Sequence, residues 1–193
     1  MNIAFGIALG YLCGSLVPGY WIGKYFFRKD IRNEGSGNIG ATNAFRVLGP
    51  PIGTFVLLLD VIKGVAAVLV SRQIHGMDAL SGLAAILGHT FSPFLKFKGG
   101  KGVATGLGVF LCLALKPTLI ALAVFVLVLL ITRRVSPASC LAACALGGSM
   151  PMVSMVSKDP LLVGISEAAV LLILIRHRAN IRRLFRGEEP VLF

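Results

Sequence analysis

The sequence predicts an all-α, polytopic integral membrane protein with about seven transmembrane helices and short loops. The mean hydropathy is +0.86 and 56% of the residues are hydrophobic, whereas only 14% are charged. A water-soluble domain carries about a quarter charged residues, so a chain this apolar cannot cover a surface that faces water. Apolar runs and short polar breaks alternate along the whole chain. We therefore expect residues 1–193 to form a single membrane-embedded domain.

The apolar runs predict helices of unequal length. A full crossing of about 30 Å needs about 20 residues, and the fourth and fifth runs are shorter than this. Five crossings are therefore the alternative to seven. The first run lacks the basic start and the cleavage site of a signal peptide, so we expect it to stay in the protein as a membrane helix. The predicted helices are Ile3–Tyr25, Gly53–Ser71, Ala79–Leu95, Val103–Leu115, Thr118–Ile131, Ala138–Val156 and Leu161–Arg176.

Prolines mark several of the predicted boundaries. Pro50 and Pro51 end the first long polar loop. Ser136 has the residue type of a helix N-cap, and Pro137 follows at what would be the first helical position. Pro160 likewise opens the last predicted helix.

The basic residues are distributed unevenly across the predicted membrane. The net charge is +11, and almost all Lys and Arg residues fall on the side that holds the loop after the first helix. The exceptions are Arg72, Lys116, Lys158 and Lys63, and the last of these lies inside the second helix, where we expect it to pair with Asp60. The positive-inside rule makes the basic side cytoplasmic, with the N-terminus outside and the C-terminus inside. Topology thus accounts for much of the basic excess, and we expect no nucleic-acid partner.

The first candidate site is the glycine-rich stretch GSGNIGATN at residues 35–43. It fits G-x-G-x-x-G, but a dinucleotide-binding loop follows a hydrophobic strand, and the preceding residues 28–34 are charged. Glycine allows positive φ, so successive amides can converge on an anion, and the stretch therefore predicts a phosphate cradle. The alternative is an ordinary flexible loop. The candidate ligands are Ser36, Gly37, Asn38, Gly40, Thr42 and Asn43, followed one turn later by Arg46.

The second candidate site is GGKG at residues 99–102, directly before a predicted helix. A helix N-terminus offers free N–H groups and a positive dipole end to a phosphate. The spacing and the missing hydroxyl after the lysine exclude a Walker loop. The alternative is a flexible loop on the positive side of the membrane. The candidate residues are Lys98, Gly100 and Lys101.

The third candidate site is the basic segment at residues 176–187. If this segment is helical, His177, Asn180 and Leu184 share one face. The alternative is an amphipathic segment that rests on anionic headgroups, but headgroup binding needs neither the histidine nor the asparagine. A weaker candidate is Ser139, which we expect in the first turn of the sixth helix, where it donates either to a phosphate or back to its own helix.

Together these motifs resemble the PlsY family, the acyl-phosphate glycerol-3-phosphate acyltransferases of bacterial membranes. Each sequence block alone is weak evidence for the family, whereas their ordered combination is specific to it. The likeness in spacing, length and hydropathy extends over essentially the whole chain. Ser92 is a small departure from the family's pattern. The matching blocks are SGNIGATNAFR at 36–46, LLLDVIKG at 57–64, GHTFSPFLKFKGGKGVATG at 88–106 and RHRANIRRLFRGEE at 176–189.

The resemblance implies the substrates. The family moves a fatty acyl group from acyl phosphate to the 1-hydroxyl of sn-glycerol 3-phosphate and yields lysophosphatidic acid and phosphate. It implies a site at the cytoplasmic face of a bacterial inner membrane protein in contact with membrane lipid, with no metal, no cofactor and no obligate protein partner. The implied catalytic residues are Ser36, Lys101, His177 and Asn180. By resemblance the glycine-rich stretch at 36–43 holds mainly the acyl-phosphate head. Lys98 serves either of the two substrates. The implied ligands of glycerol 3-phosphate are Arg46, Lys101, Ser139, His177 and Asn180.

The residues themselves show no nucleophilic triad, which fits an acyl phosphate. This mixed anhydride has a good leaving group, so direct attack without an acyl-enzyme is expected, with catalysis by positioning and charge stabilisation. The hydroxyl proton goes either to a neutral His177 or to a phosphate oxygen of the substrate. The three candidate sites and the segment of Ser139 must then meet beneath the inner leaflet. The alternative functions are a small membrane transporter for organic phosphates and a headgroup-binding scaffold.

Overall fold

The computed structural model describes residues 3–74, 77–157 and 159–192, and for residues 153–157 it describes the backbone only. Within these ranges the chain is helical and has no strand, which confirms the predicted class. The chain forms two compact units, Met1–Leu113 and Ala114–Phe193. Lys158, which we expected on the outer side, lies outside the described residues.

The described residues of the first unit form six α-helices and a short 3-10 helix at Pro93–Leu95. The α-helices are α1 (Ile3–Ser15), α2 (Pro18–Phe26), α3 (Ala41–Leu48), α4 (Pro50–Gln73), α5 (Asp78–Thr90) and α6 (Val103–Leu113). In this unit α1 packs along α5, and α4 packs against α3 and α6.

Glycines allow these helices to approach closely. A Cβ atom added to Gly14 of α1 would lie 1.9 Å from the carbonyl oxygen of Ala85 in α5. A Cβ on Gly108 of α6 would lie 2.0 Å from the carbonyl oxygen of Val61 in α4. Small residues at such crossings are typical of membrane helices, which associate by tight packing rather than by the hydrophobic effect.

The second unit contains four helices: α7 (Leu115–Thr132), α8 (Val135–Ser157), α9 (Pro160–Arg176) and α10 (Arg178–Phe185). Here α7 packs along α8, α8 packs against α9, and α10 lies against both α8 and α9. Asp159 caps α9, because its side chain accepts a hydrogen bond from the amide of Leu162 at 3.1 Å. This confirms the helix start predicted at Pro160.

Several predicted boundaries were wrong. The first predicted helix is broken after Ser15, because Pro18 opens α2 as a separate helix. Pro50 does not end a loop but lies at the start of α4, where a missing N–H costs nothing. Helix α5 ends at Thr90, before the 3-10 turn. Ser136 is not an N-cap, since α8 already begins at Val135.

Two further differences concern short elements. The segment Ala41–Leu48 was expected to be part of the first loop, but it forms α3. Ser139 lies a full turn inside α8 rather than in its first turn, because the helix starts earlier than predicted.

Among the described residues, three helical segments are long and apolar enough to cross a membrane: Ile3–Phe26, which includes the break after Ser15, Pro50–Gln73 and Leu115–Thr132. The pair Pro160–Arg176 and Arg178–Phe185, bent by 53°, makes a fourth if it counts as one span. Helix α6 has only 11 residues, which confirms that the fourth predicted run is short. The same expectation for the fifth run was wrong, because α7 extends beyond it at both ends and has 18 residues. The number of seven crossings stays a prediction.

Candidate active site

The glycine-rich stretch is held from within by Asn43, which is 1% exposed. Its side-chain oxygen accepts a hydrogen bond from the amide of Ser36 at 2.8 Å. Its side-chain nitrogen donates to the carbonyl oxygens of Ile31 at 2.7 Å and Glu34 at 3.1 Å. Both amide hydrogens are thus used inside the protein. Asn43 therefore organises the loop, and a direct role as phosphate donor is not required to explain its position.

Other amides of the loop are also occupied. The amide of Gly37 donates to the carbonyl oxygen of Glu34 at 3.0 Å, and that of Gly40 donates to the side-chain oxygen of Asn38 at 2.9 Å. Gly35 and Gly37 have φ values of 59° and 69°, which an L side chain rarely adopts. The glycines are therefore explained by the path of the loop, and fewer of its amides point outward than the cradle hypothesis assumed.

The N-terminus of α3 supplies the donors that the loop does not. The amides of Asn43 and Ala44 bond to the carbonyl oxygen of Gly40, at 3.1 Å each, so helical bonding begins there. The amides of Ala41 and Thr42 therefore have no acceptor within the helix. Arg46 follows one turn later on the same helix and is half-buried. An anion at this end would meet amide donors, the Thr42 hydroxyl and the helix dipole.

Buried apolar residues fix the loop at both ends. Ile31 and Ile39 are 0% and 2% exposed and belong to a core cluster with Tyr20 and Val56. A Cβ on Gly19 of α2 would lie 2.3 Å from the carbonyl oxygen of Ile39, so the loop rests directly on this helix. This anchoring explains how a polar segment keeps one conformation.

In the GGKG segment the glycines are buried against the end of α5. The amide of Gly99 donates to the carbonyl oxygen of Thr90 and that of Gly100 to the carbonyl oxygen of His89, both at 3.0 Å. Gly102 has φ 80° and precedes α6. Lys98 is exposed and Lys101 is half-buried at the entrance to α6. The segment therefore presents lysines beside a helix N-terminus, as expected.

In the second unit, the basic segment forms helix α10, the condition on which His177 and Asn180 were expected to share a face, and His177 lies at its N-cap. His177 is 2% exposed, and its Nδ1 atom lies 2.8 Å from the carbonyl oxygen of Ile173. Because a carbonyl oxygen only accepts hydrogen bonds, we assign the proton to Nδ1. In a neutral ring Nε2 is then the acceptor.

Asn180 belongs to a buried cluster around Glu189, a residue that the sequence had not indicated as important. The Asn180 side-chain nitrogen donates to Glu189 Oε1 at 2.7 Å and to Ser136 Oγ at 2.9 Å. Ser136 Oγ also donates to Glu189 Oε1, and Arg183 Nε donates to Glu189 Oε2 at 2.8 Å. Glu189 is 3% exposed and so connects α8 with α10.

The charge on this carboxylate is stabilised by its neighbours. Burial alone raises the pKa of Glu189, but the hydrogen bonds from Ser136, Asn180 and Arg183 outweigh burial and hold the pKa below its usual range. The residue is therefore ionised at neutral pH. The remaining candidate of this unit, Ser139, is buried at 3% exposure in α8.

The described geometry divides the predicted residues between the two units. Residues 36–46 and 98–101 lie in the first, whereas Ser139, His177 and Asn180 lie in the second. Their meeting in one site stays a prediction. The sequence missed helix α3, the role of Ser136 and the role of Glu189. The only available signal for Glu189 was its place at the end of the last motif block.

Comparison with known proteins identifies the chain. The family described as glycerol-3-phosphate acyltransferase matches residues 4–187. The chain belongs to this family. Among its members, the glycerol-3-phosphate acyltransferase of Staphylococcus aureus (strain Newman) is 44% identical over 98% of both chains. Glycerol-3-phosphate acyltransferase 2 of Bacillus anthracis is also 44% identical over 98% of both chains.

Solved acyltransferase structures extend the comparison to the fold. The chain is similar to a crystal structure of PlsY, an integral membrane glycerol 3-phosphate acyltransferase, in its glycerol 3-phosphate form. The TM-score is 0.89 at 36% identity, and the match covers 98% of this chain and 94% of that one. For the lysophosphatidic acid form the TM-score is 0.85 at 35% identity, with the same coverage. The acyltransferase family and the membrane location expected from the sequence are thus confirmed.

The bonding of Asn43 predicts that the glycine-rich loop loosens when this side chain is removed. Asn43→Ala deletes three hydrogen bonds that tie the loop to itself, so trypsin should cleave after Arg32 at least about tenfold faster than in the wild type, which corresponds to about 1.4 kcal/mol. Cleavage rates followed by mass spectrometry in detergent measure this. Asn33→Ala, at an exposed position of the same loop, is the matched control. Equal cleavage rates in the two variants would contradict the assigned role of Asn43.

Proposed function

We propose that this acyltransferase moves a fatty acyl group from acyl phosphate to the 1-hydroxyl of sn-glycerol 3-phosphate. The observation that carries the proposal is the similarity to relatives solved in a glycerol 3-phosphate form and in a lysophosphatidic acid form. These two molecules are the acceptor and the product of one acyl transfer. The choice of acyl phosphate as donor rests on the motif resemblance and on the absence of a nucleophilic triad from the sequence motifs.

In the proposed reaction the glycerol hydroxyl oxygen attacks the carbonyl carbon of the acyl phosphate. The bond between this carbon and the phosphate oxygen breaks, and phosphate leaves with the electron pair. The hydroxyl proton ends on the departing phosphate, so the products are lysophosphatidic acid and inorganic phosphate. No acyl-enzyme forms, because the mixed anhydride is already activated. The protein contributes positioning and stabilisation of negative charge.

Each unit has donors suited to this task. In the first unit, we propose that the acyl-phosphate head is held by the start of α3, the Thr42 hydroxyl and the Ser36 hydroxyl. Gly37, Asn38 and Gly40 shape the binding loop, and Asn43 fixes it. Arg46 and Lys101 are proposed to bind glycerol 3-phosphate beside Gly100, and Lys98 serves either substrate. From the second unit, Ser139, His177 and Asn180 are proposed to act on glycerol 3-phosphate in the same reaction. Of these residues, Ser36, Lys101, His177 and Asn180 are the proposed catalytic set.

The reaction itself is tested with detergent-purified protein. Phosphate release should require both acyl phosphate and glycerol 3-phosphate, and lysophosphatidic acid should appear in equal amount by mass spectrometry. Lys101→Ala should lower kcat/KM by about 10²-fold, because it removes a charge-assisted contact worth about 1.5–3 kcal/mol. Lys116→Ala, at the start of α7, is the control. Turnover of glycerol 3-phosphate with acyl-CoA but not with acyl phosphate would refute the proposed donor.

For His177 we propose that Nε2 accepts a hydrogen bond from the attacking hydroxyl, while the proton passes to the substrate phosphate. Glutamine can offer an acceptor near Nε2 but cannot take up a proton, whereas leucine offers neither. His177→Gln should therefore keep turnover within about tenfold of the wild type and His177→Leu should fall well below it. A general base contributes about 10²–10⁴-fold. A loss of this size in His177→Gln would show that the histidine is the base.

We also propose that the enzyme lies in the bacterial inner membrane with its N-terminus outside and its C-terminus and active site in the cytoplasm. The charge asymmetry supports this orientation. Helix α7 is 18 residues long, or about 27 Å, and separates Lys116 from Arg133. A membrane-impermeant thiol reagent should label Lys116→Cys from outside in intact cells and Arg133→Cys only after lysis. Labelling of both from one side would overturn this topology.

A further inference from the structure

The first unit contains a buried polar triad outside the residues assigned above. Asp60, Lys63 and His89 are 1%, 7% and 3% exposed. Lys63 Nζ lies 2.7 Å from Asp60 Oδ1 and 2.8 Å from His89 Nδ1, and it donates to the carbonyl oxygen of Leu16 at 2.7 Å. The contacts of Lys63 with Leu16 and His89 are hydrogen bonds, and its contact with Asp60 is an ion pair, in which Asp60 Oδ1 also lies 3.3 Å from His89 Nδ1. The expected pair of Asp60 and Lys63 is confirmed, whereas its contact with His89 was not anticipated.

The triad is in direct contact with the GGKG segment through His89. Its carbonyl oxygen accepts the hydrogen bond from the Gly100 amide at 3.0 Å. A Cβ atom on Gly100 would lie 2.1 Å from His89 Nε2, and one on Gly99 would lie 2.0 Å from the His89 carbonyl oxygen. Gly100 therefore packs against the imidazole ring, and Gly99 packs against the backbone of His89 and Thr90. The position of this ring sets the position of the chain that leads into Lys101.

Stability does not explain why two charges are buried here. Removing an ammonium and a carboxylate from water costs several kcal/mol each, and well-packed apolar residues often replace a buried ion pair without loss of stability. What the triad provides is a fixed geometry. Lys63 is a residue of α4. Its ammonium group donates to the carbonyl oxygen of Leu16, directly after α1, and contacts His89 of α5. A ring held in this way cannot change its rotamer without breaking its contact with the ammonium group.

We propose that Asp60, Lys63 and His89 form a positioning network that holds the GGKG segment in its phosphate-binding conformation. The inference rests on the acyl transfer proposed above. The three residues touch no substrate. They act through Gly99 and Gly100 on the placement of Lys101 and of the α6 N-terminus. A displacement of about 1 Å in such a site can cost about 10²-fold in rate.

The contact between the His89 ring and Gly100 is tested by a double-mutant cycle. Gly100→Ala should lower kcat/KM for glycerol 3-phosphate by about 10²-fold, because its methyl group meets the ring. His89→Ala should raise KM more than it lowers kcat, because phosphate binding is what depends on the segment. In the double variant the methyl group has room, so the combined loss should be well below the product of the two single losses. Ser81→Ala, which removes a different buried hydrogen bond of the unit, should keep both constants.

A second pair of variants separates positioning from folding. Asp60→Asn with Lys63→Met removes both charges together and leaves no unpaired ion, so the melting midpoint should stay near that of the wild type. KM for glycerol 3-phosphate should nevertheless rise as in His89→Ala, and isothermal titration with glycerol 3-phosphate should show the same weakening without turnover. His89→Asn, which keeps an acceptor for Lys63, should recover part of the affinity.

The outcomes distinguish the two proposals. Strictly multiplicative losses in the cycle, or wild-type KM in the double-charge variant, would overturn the positioning network. Wild-type protein that makes no lysophosphatidic acid from acyl phosphate would instead overturn the proposed reaction. In that case the titration with glycerol 3-phosphate still decides whether the triad controls the binding of a phosphate ligand.

Discussion

The first unit depends on hydrogen bonds to backbone carbonyl groups at its helix ends, where Ser15 and Ser92 are fully buried. In the hydrocarbon region an unpaired carbonyl costs several kcal/mol, so each helix break requires a donor from elsewhere in the protein. Side chains supply these donors across long sequence separations. Ser92 Oγ donates to the carbonyl oxygen of Ser15 at 2.7 Å, next to the contact of Lys63 with Leu16. The Tyr11 hydroxyl likewise donates to the carbonyl oxygen of Phe91 at 2.6 Å. The broken first helix and the turn after α5 are therefore stabilised by each other's polar groups.

Hydrogen bonds within the protein also account for two of the residues expected to bind phosphate. Asn43 and Asn180 both looked like ligands, and both use their amide hydrogens inside the protein. Their bonds give two irregular segments a single conformation. Such rigidity suits a reaction whose substrate is already activated, because the remaining catalytic task is to hold donors where negative charge develops. Side chains that fix the backbone then matter as much as those that face the substrate.

The sequence was sufficient for the fold class and for most helices, because hydropathy and proline positions are local signals. It failed where a local signal had two meanings. Pro50 was interpreted as a loop end although proline is equally suited to the first turn of a helix, and the eight residues of α3 were too short and too polar to stand out. Contacts between residues that lie far apart in the sequence could not be predicted from local patterns. His89 lies 26 residues from Lys63, and Ser136 lies 53 residues from Glu189. Only the folded chain brings these groups together.

The cluster around Glu189 also has a consequence for biosynthesis. A ribosome makes the chain from its N-terminus, so Ser136 is in place 53 residues before the carboxylate that it contacts. Ser136 lacks its acceptor throughout that interval, whereas Asn180 and Arg183 precede Glu189 by only 9 and 6 residues. The contacts described above for the first unit join residues within Met1–Leu113. The hydrogen bonds to Glu189 can therefore form only after nearly the whole chain has been made.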